Sequence, residues 1–292
     1  MSGFDPRQLA EWSGGHWHAD QYPAQIVGFC FDARQLKPGE CFVALSGGAR
    51  DGHDFVAQAA ERGASAVLVE RAQPLALPQL LVGNTLLALG ALGAALRRGF
   101  AAPVVGITGS CGKTSTKEML RCLLGEGRTH ATAGNYNNRL GVPMTLLGLD
   151  AQRHAFAVIE AGINQPDEMA LLGAMIEADL SVVTNIAAAH LERLGSIDTV
   201  AVEKAQLVRA ARPNAPVLMP SEVFHHAAFS ALADRAVVLA AEGERLPMPP
   251  MRVVRYRLEQ AAGATSRLYL TDAAATCFSI ASSSAGICVN AA

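Results

Sequence analysis

Val104-Val105-Gly106-Ile107-Thr108-Gly109-Ser110-Cys111-Gly112-Lys113-Thr114-Ser115-Thr116-Lys117 is the stretch on which the fold turns. An apolar run ends in a Gly/Ser turn, and Lys-Thr then opens a segment with helical spacing at Met119, Leu120, Leu123 and Leu124. The reading is a strand, a phosphate loop and a helix N-terminus. Glycine backbones let successive N–H groups converge on an anion, and the helix dipole adds partial positive charge at the same point. Thr108, Gly109, Ser110, Cys111, Gly112, Lys113, Thr114 and Ser115 are therefore candidate nucleotide contacts. Lys113 would reach the terminal phosphates, and the Thr114 hydroxyl would ligate Mg²⁺. The usual spacing puts glycine five residues before Gly112, where this chain has Ile107, with glycines at 106 and 109 instead.

Downstream, Phe156–Gly162 reads as a buried strand that ends on a carboxylate, Glu160. Leu180–Ile186 reads as another, followed by His190-Leu191-Glu192, and Lys204 sits in a helical pattern of Val200, Ala201 and Ala205. The order strand, helix, strand, helix, strand implies an α/β fold whose mostly parallel sheet is covered on both faces. In such sheets ligands sit at the carboxyl ends of the strands, so Glu160 is a candidate second Mg²⁺ ligand. His190-x-Glu192 lacks the PCxxC partner of a zinc deaminase. Taken alone, His190 reads as a structural histidine and Lys204 as a surface charge. Between the loop and Glu160, Gly134-Asn135-Tyr136-Asn137-Asn138 is dense in amide groups, and Asn135, Asn137 and Asn138 are candidate substrate contacts.

Residues 1–83 read as a separate, smaller α/β domain, with strands expected at 26–31, 41–45, 66–69 and 80–82. The chain from 84 to 292, beginning with a helix at Leu86–Arg98, reads as the nucleotide-binding domain. In the first domain Gly47 and Gly48, with Arg34 nearby, could approach a phosphate, although alone they read as turn chemistry. A length of 292 residues leaves room for two cores, and a net charge of −2 gives no sign of a nucleic-acid surface. Six cysteines at 30, 41, 111, 122, 277 and 288, without a CxxC pair, suit free thiols in a reducing, cytoplasmic compartment. The apolar stretch Leu75–Leu96 is broken by Pro78, Gly83, Asn84 and Gly90, and so reads as a strand and a buried helix, not as a membrane span.

Thr108–Thr114, Gly134–Asn138, Glu160-Ala161-Gly162 and Thr184-Asn185-Ile186, with His190-Leu191-Glu192, Gly195-Ser196 and Lys204, occur in the order and rough spacing of the Mur ligases. The chain resembles that family over essentially its whole length. Asp32-x-Arg34, Phe42–Leu45 and Asp51-Gly52-His53 resemble the family's UDP-sugar domain. The resemblance is strongest to the branch that adds D-alanyl-D-alanine to UDP-N-acetylmuramoyl tripeptide, and the Asn-Tyr-Asn-Asn segment weighs against the branch that adds a diamino acid.

The resemblance implies an ATP-dependent amide ligase of peptidoglycan precursor synthesis, monomeric, working through an acyl phosphate. Lys113 would hold phosphates, and Thr114 and Glu160 would hold one Mg²⁺. His190 and a carbamoylated Lys204 would serve a second Mg²⁺, Asn290 would contact ATP, and Asp32, Arg34, Ser46, Asp51 and His53 would bind the UDP-sugar. Two family hydroxyls are replaced here, by Cys30 and Ala33. The segment Ser284–Ala292 resembles the junction with the family's third domain, which closes over ATP. The expectation is thus two of three domains, with a nucleotide- and UDP-sugar-binding fragment that does not turn over as the alternative.

Overall fold

In this computed structural model the described residues are 3–47, 50–188, 191–261, 265–271 and 277–282. The chain divides into two compact units, 1–101 with 139–153, and 102–138 with 154–292.

The first unit opens with α1 (Pro6–Ser13), capped by the Asp5 carboxylate and stopped by Gly14 in the left-handed region. There follow β1 (His16–Trp17), β2 (Phe29–Cys30), β3 (Cys41–Val43), α2 (Val56–Glu61), β4 (Ala66–Val69), β5 (Gln79–Leu81) and α3 (Thr85–Gly99). The strands lie in the order β1-β5-β4-β3-β2, parallel except for β1. Side chains alternate across a strand, so Cys41 and Val43 enter the core beneath α3 while Phe42 and Ala44 pack with α2 on the other face. The run expected as one strand over 26–31 is divided. Ile26 bridges to Phe4 and only Phe29–Cys30 pairs with β3.

The second unit begins with β6 (Val104–Thr108), α4 (Lys113–Leu124) and β7 (Thr129–Ala131). The chain then returns to the first unit for α5 (Gly141–Leu147), which packs on α3. A β-carbon on Gly93 of α3 would lie 3.0 Å from the Pro143 backbone, so glycine permits that approach. This packing explains why α3 lies with the first unit, whereas the sequence reading divided the chain after residue 83.

The second unit resumes with β8 (Phe156–Glu160), α6 (Glu168–Ile176), β9 (Leu180–Val183), α7 (Leu191–Leu194) and α8 (Ile197–Arg209). Then come β10 (Val217–Pro220), α9 (Ser221–Phe224), α10 (Ala227–Ser230) and β11 (Ala236–Ala241). The strands β12 (Arg252–Ala261), β13 (Thr265–Thr271) and β14 (Cys277–Ser282) end the described chain. Its sheet runs β14-β13-β12-β11-β10-β9-β6-β8-β7, with parallel pairing from β7 to β12 and antiparallel pairing beyond. One face carries α4 over Val105, Ile107, Val158 and Val182. The other carries α8, whose Ala201, Ala205 and Val208 pack with Val183, Val217 and Met219. The expected doubly covered parallel sheet is thus found. β6 lies between β8 and β9, so the chain runs from β6 to one side of it for β7 and β8 and then crosses to the other side for β9, which puts a topological switch point at the carboxyl end of β6.

Candidate functional site

The loop after β6 departs from the usual glycine spacing for a packing reason. Ile107 is buried in the α4-side core. A β-carbon on Gly106 would lie 3.1 Å from Ala178 Cβ, so that glycine serves the opposite face of the sheet. Close approach falls instead to Gly109 and Gly112, at φ of 152° and 79°. A β-carbon on Gly109 would collide with the Thr184 hydroxyl and lie 3.2 Å from the Asn185 amide nitrogen.

Thr184 and Asn185, just past β9, clasp the loop. The Asn185 carbonyl accepts from the Ser110 amide at 3.1 Å, and Asn185 Oδ1 accepts from the Cys111 amide at 2.9 Å. The Thr184 hydroxyl donates to the Cys111 carbonyl. Ser110 Oγ also accepts from the Ala187 amide at 3.0 Å. Gly112 then starts α4, whose first-turn amides have no acceptor one turn earlier and so face the switch point as donors. Lys113 and Thr114 stand in that turn, and Ser115 is exposed on it. Thr108 is buried below the loop, and its carbonyl accepts from the Thr184 amide at 2.9 Å.

The carboxylate expected at the end of β8 is there. Glu160 is 1% exposed, and its two oxygens accept from Thr114 Oγ1 at 2.9 Å and Asn137 Nδ2 at 2.7 Å. Its amide donates to Thr132 Oγ1 at 2.9 Å. Asn137 is thus the member of the Asn-rich segment that reaches the carboxylate, while Asn135 and Asn138 are exposed. A carboxylate and a hydroxyl at hydrogen-bonding distance are hard oxygen donors that suit Mg²⁺.

Two lysines share one acceptor. Lys113 Nζ donates to the Gly109 carbonyl at 2.8 Å and Lys204 Nζ to the same oxygen at 3.0 Å. Lys204, which read as a surface charge when taken alone, is 2% exposed. Burial first, and then the neighbouring Lys113 charge, push its ammonium down to about 7. Both line a cavity of about 90 Å³ with Gly109, Asn137, Gly162 and Asn164. A larger hollow of about 320 Å³ on the other side of α4 is lined mainly by apolar side chains such as Met119, Leu123 and Val182. The smaller one is where the two lysine side chains converge.

The Lys204 shift has a sign. Its folded pKa of about 7 lies below the unfolded value, so at intermediate pH the unfolded chain holds a proton that the folded chain lacks. Stability should therefore rise as pH climbs from 7 toward 10, by at most about 1.4 kcal/mol per unit from this group. Urea unfolding in carbon-dioxide-free buffer should show Lys204→Met with a flatter rise than the parent over that window. Parallel profiles would remove Lys204 from the buried, uncharged role.

In the first unit Asp32 holds Arg34 through two side-chain contacts, at 2.9 and 2.8 Å, and this pairing lowers the Asp32 carboxyl to about 2. The Cys30 thiol donates to the Asp32 carbonyl at 3.2 Å, and burial raises its pKa. Asp51 is held below the usual carboxylate range by the His53 amide and by Arg71. The His53 ring is buried, with Nδ1 at 2.7 Å from Asp51 and Nε2 accepting from the Glu70 amide at 2.9 Å. That tautomer makes His53 a strut between the Asp51 turn and β4. Ser46 is exposed, and its hydroxyl bonds to Glu70. His190, Asn290 and Cys288 lie outside the described residues. Cys30, Cys41, Cys111 and Cys122 are free thiols, as expected. Among the described residues no helix is long and apolar enough to cross a membrane.

Thr184, Asn185, Thr132 and Lys117 were not among the residues singled out as site contacts. For the first two the available signal was their place at a strand's carboxyl end beside the loop.

Comparison with known proteins gives concordant matches. The family profile described as Mur ligase middle domain matches residues 107–241, and that described as Mur ligase family, catalytic domain, matches residues 25–110. The UDP-N-acetylmuramoyl-tripeptide–D-alanyl-D-alanine ligase of Escherichia coli (strain K12) is 45% identical over 192 residues, 65% of this chain and 42% of that protein. A crystal structure of MurF from Acinetobacter baumannii aligns with a TM-score of 0.84 at 31% identity, covering 100% of this chain and 63% of that one. MurF from Thermotoga maritima in complex with ADP aligns with a TM-score of 0.76 at 25% identity, covering 90% and 60% respectively. The chain spans less than half the length of the Escherichia coli relative it matches.

Proposed function

The chain belongs to the Mur ligase family, and from that premise we propose that it serves an ATP-dependent ligation of D-alanyl-D-alanine to UDP-N-acetylmuramoyl tripeptide. The observation that carries this reading is the joining, at one crevice, of the Gly109 loop, two lysines and the Thr114–Glu160–Asn137 contact. The names of the relatives supply the substrates, and the ADP bound by the Thermotoga maritima protein supplies the nucleotide.

Phosphoryl transfer from ATP to a carboxylate brings two anions together, so positive charge and oriented donors must offset the repulsion. Lys113 would leave the Gly109 carbonyl for the nucleotide phosphates, with the first-turn amides of α4 around them. Mg²⁺, when bound, neutralises phosphate oxygens, and Thr114 and Glu160 would hold one such ion. Asn137, by donating to one Glu160 oxygen, keeps the carboxylate oriented. Lys204 has the character needed for carbamoylation, because burial lowers its pKa to about 7 and so leaves about half of the amine uncharged at neutral pH. Its nitrogen would bond to the carbon of carbon dioxide and release a proton, leaving an oxygen ligand that with His190 would serve a second ion. The first unit, through Asp32, Arg34, Ser46 and Asp51, would take the UDP-sugar. With Cys30, Cys41, Cys111 and Cys122 as free thiols, we place the reaction in the cytoplasm, with no membrane or nucleic-acid partner.

The test is trapping. With ATP, Mg²⁺, UDP-N-acetylmuramoyl tripeptide and hydroxylamine, the protein should release ADP and tripeptide hydroxamate in equal amounts. D-alanyl-D-alanine in place of hydroxylamine should give the pentapeptide product. ADP release without hydroxamate would contradict an acyl phosphate.

A further inference from the structure

Lys117 lies one helical turn beyond Lys113 on α4 and is 0% exposed. A buried ammonium costs several kcal/mol unless it is well hydrogen-bonded, and an apolar residue would ordinarily suit such a position. Here Nζ donates to the Thr132 carbonyl at 2.7 Å and to the Gly134 carbonyl at 3.3 Å, with Glu118 Oε1 at 3.1 Å toward solvent. Those carbonyls stand where β7, the edge strand, has ended and the chain turns through Gly134 at φ 51°.

The contacts close a ring. The Thr132 hydroxyl, on the residue whose carbonyl Lys117 holds, accepts from the Glu160 amide at 2.9 Å. Asn137, five residues past Thr132 on the same segment, donates to one Glu160 oxygen at 2.7 Å. The other Glu160 oxygen returns to α4 through Thr114 at 2.9 Å, one turn before Lys117. One helix thus grips the carboxylate directly by Thr114 and indirectly by Lys117 through the 132–137 segment.

We propose that Lys117 is a positioning residue that sets the Thr114–Glu160 oxygen pair for a divalent cation, an inference that rests on the nucleotide-site reading above. Its effect is on the metal-dependent part of nucleotide affinity and not on phosphate binding as such.

The experiment titrates ADP into the full chain with Mg²⁺ and, separately, with EDTA, for the parent, Lys117→Met and Lys117→Arg. Lys117→Met should weaken binding with Mg²⁺ by about tenfold or more and binding in EDTA by under about threefold, the range seen when outer partners of metal ligands are removed. Lys117→Arg, which keeps a donor, should recover part of the loss. Thr132→Val removes the hydroxyl but keeps the carbonyl, so it carries the test if Lys117→Met does not fold, and the same split is expected. Equal losses with and without Mg²⁺, or no loss, would overturn the proposal. If the parent itself shows no Mg²⁺-dependent ADP binding, the nucleotide-site reading fails instead.

Discussion

Gly109→Ala is expected to weaken nucleotide binding severely and to destabilise the protein. Two penalties act together. At φ 152° the backbone of residue 109 is in a region that residues with a β-carbon rarely adopt, and the new methyl would meet the Thr184 hydroxyl and Cβ. Strained backbone costs about 1–3 kcal/mol and overpacking a further 1–3, so a loss of roughly 3 kcal/mol is anticipated. The loop can escape only by moving, and then it gives up the Ser110 and Cys111 contacts with Asn185. Affinity for ADP should fall by about two orders of magnitude, since about 1.4 kcal/mol accounts for each decade. Adding Thr184→Ala should return the packing part of the stability but not the affinity, because the backbone conformation is still unfavourable. ADP titration and urea unfolding of the two variants read these outcomes. Binding retained within a few-fold by Gly109→Ala would remove the loop from the phosphate site.

Lys113→Ala should separate binding from stability. The ammonium is anticipated to move from the Gly109 carbonyl to phosphate oxygens, and charge-assisted hydrogen bonds of this kind are worth about 1.5–3 kcal/mol, or roughly 10- to 150-fold in affinity. Stability should not fall in step. Lys113 and Lys204 crowd one carbonyl, and the Lys113 charge is part of what depresses Lys204. Removing it relieves that repulsion, so the melting temperature near neutral pH should hold or rise while ADP affinity drops. A parallel loss of both would make Lys113 a structural residue.

The nucleotide loop was legible because its chemistry is local. Strand, glycines, Lys113 and Thr114 are contiguous, and Glu160 announces itself by ending an apolar strand. What was not legible depends on long-range packing. Lys117 reads as an ordinary charge on an amphipathic helix, and nothing local says that carbonyls 132 and 134 will need a buried donor. Lys204 reads as solvated for the same reason, until the resemblance to the family assigns it a role. Gly106 and Gly109 could be told apart only once α8 was seen against one face of β6 and Thr184 beside the other. The excursion of Gly141–Leu147 into the first unit is invisible in its sequence, because a short apolar helix fits either core.

The central claim is that the second unit holds a Mg²⁺-nucleotide between the Gly109 loop and Glu160. Calorimetric titration of the chain with ADP, in Mg²⁺ and again in EDTA, with Glu160→Ala alongside, tests it most directly. The account predicts one site per chain, tighter with Mg²⁺ by about tenfold, with that gain lost in Glu160→Ala while the metal-free affinity is largely kept. No binding by the parent, or a Mg²⁺ effect that survives in Glu160→Ala, would contradict it.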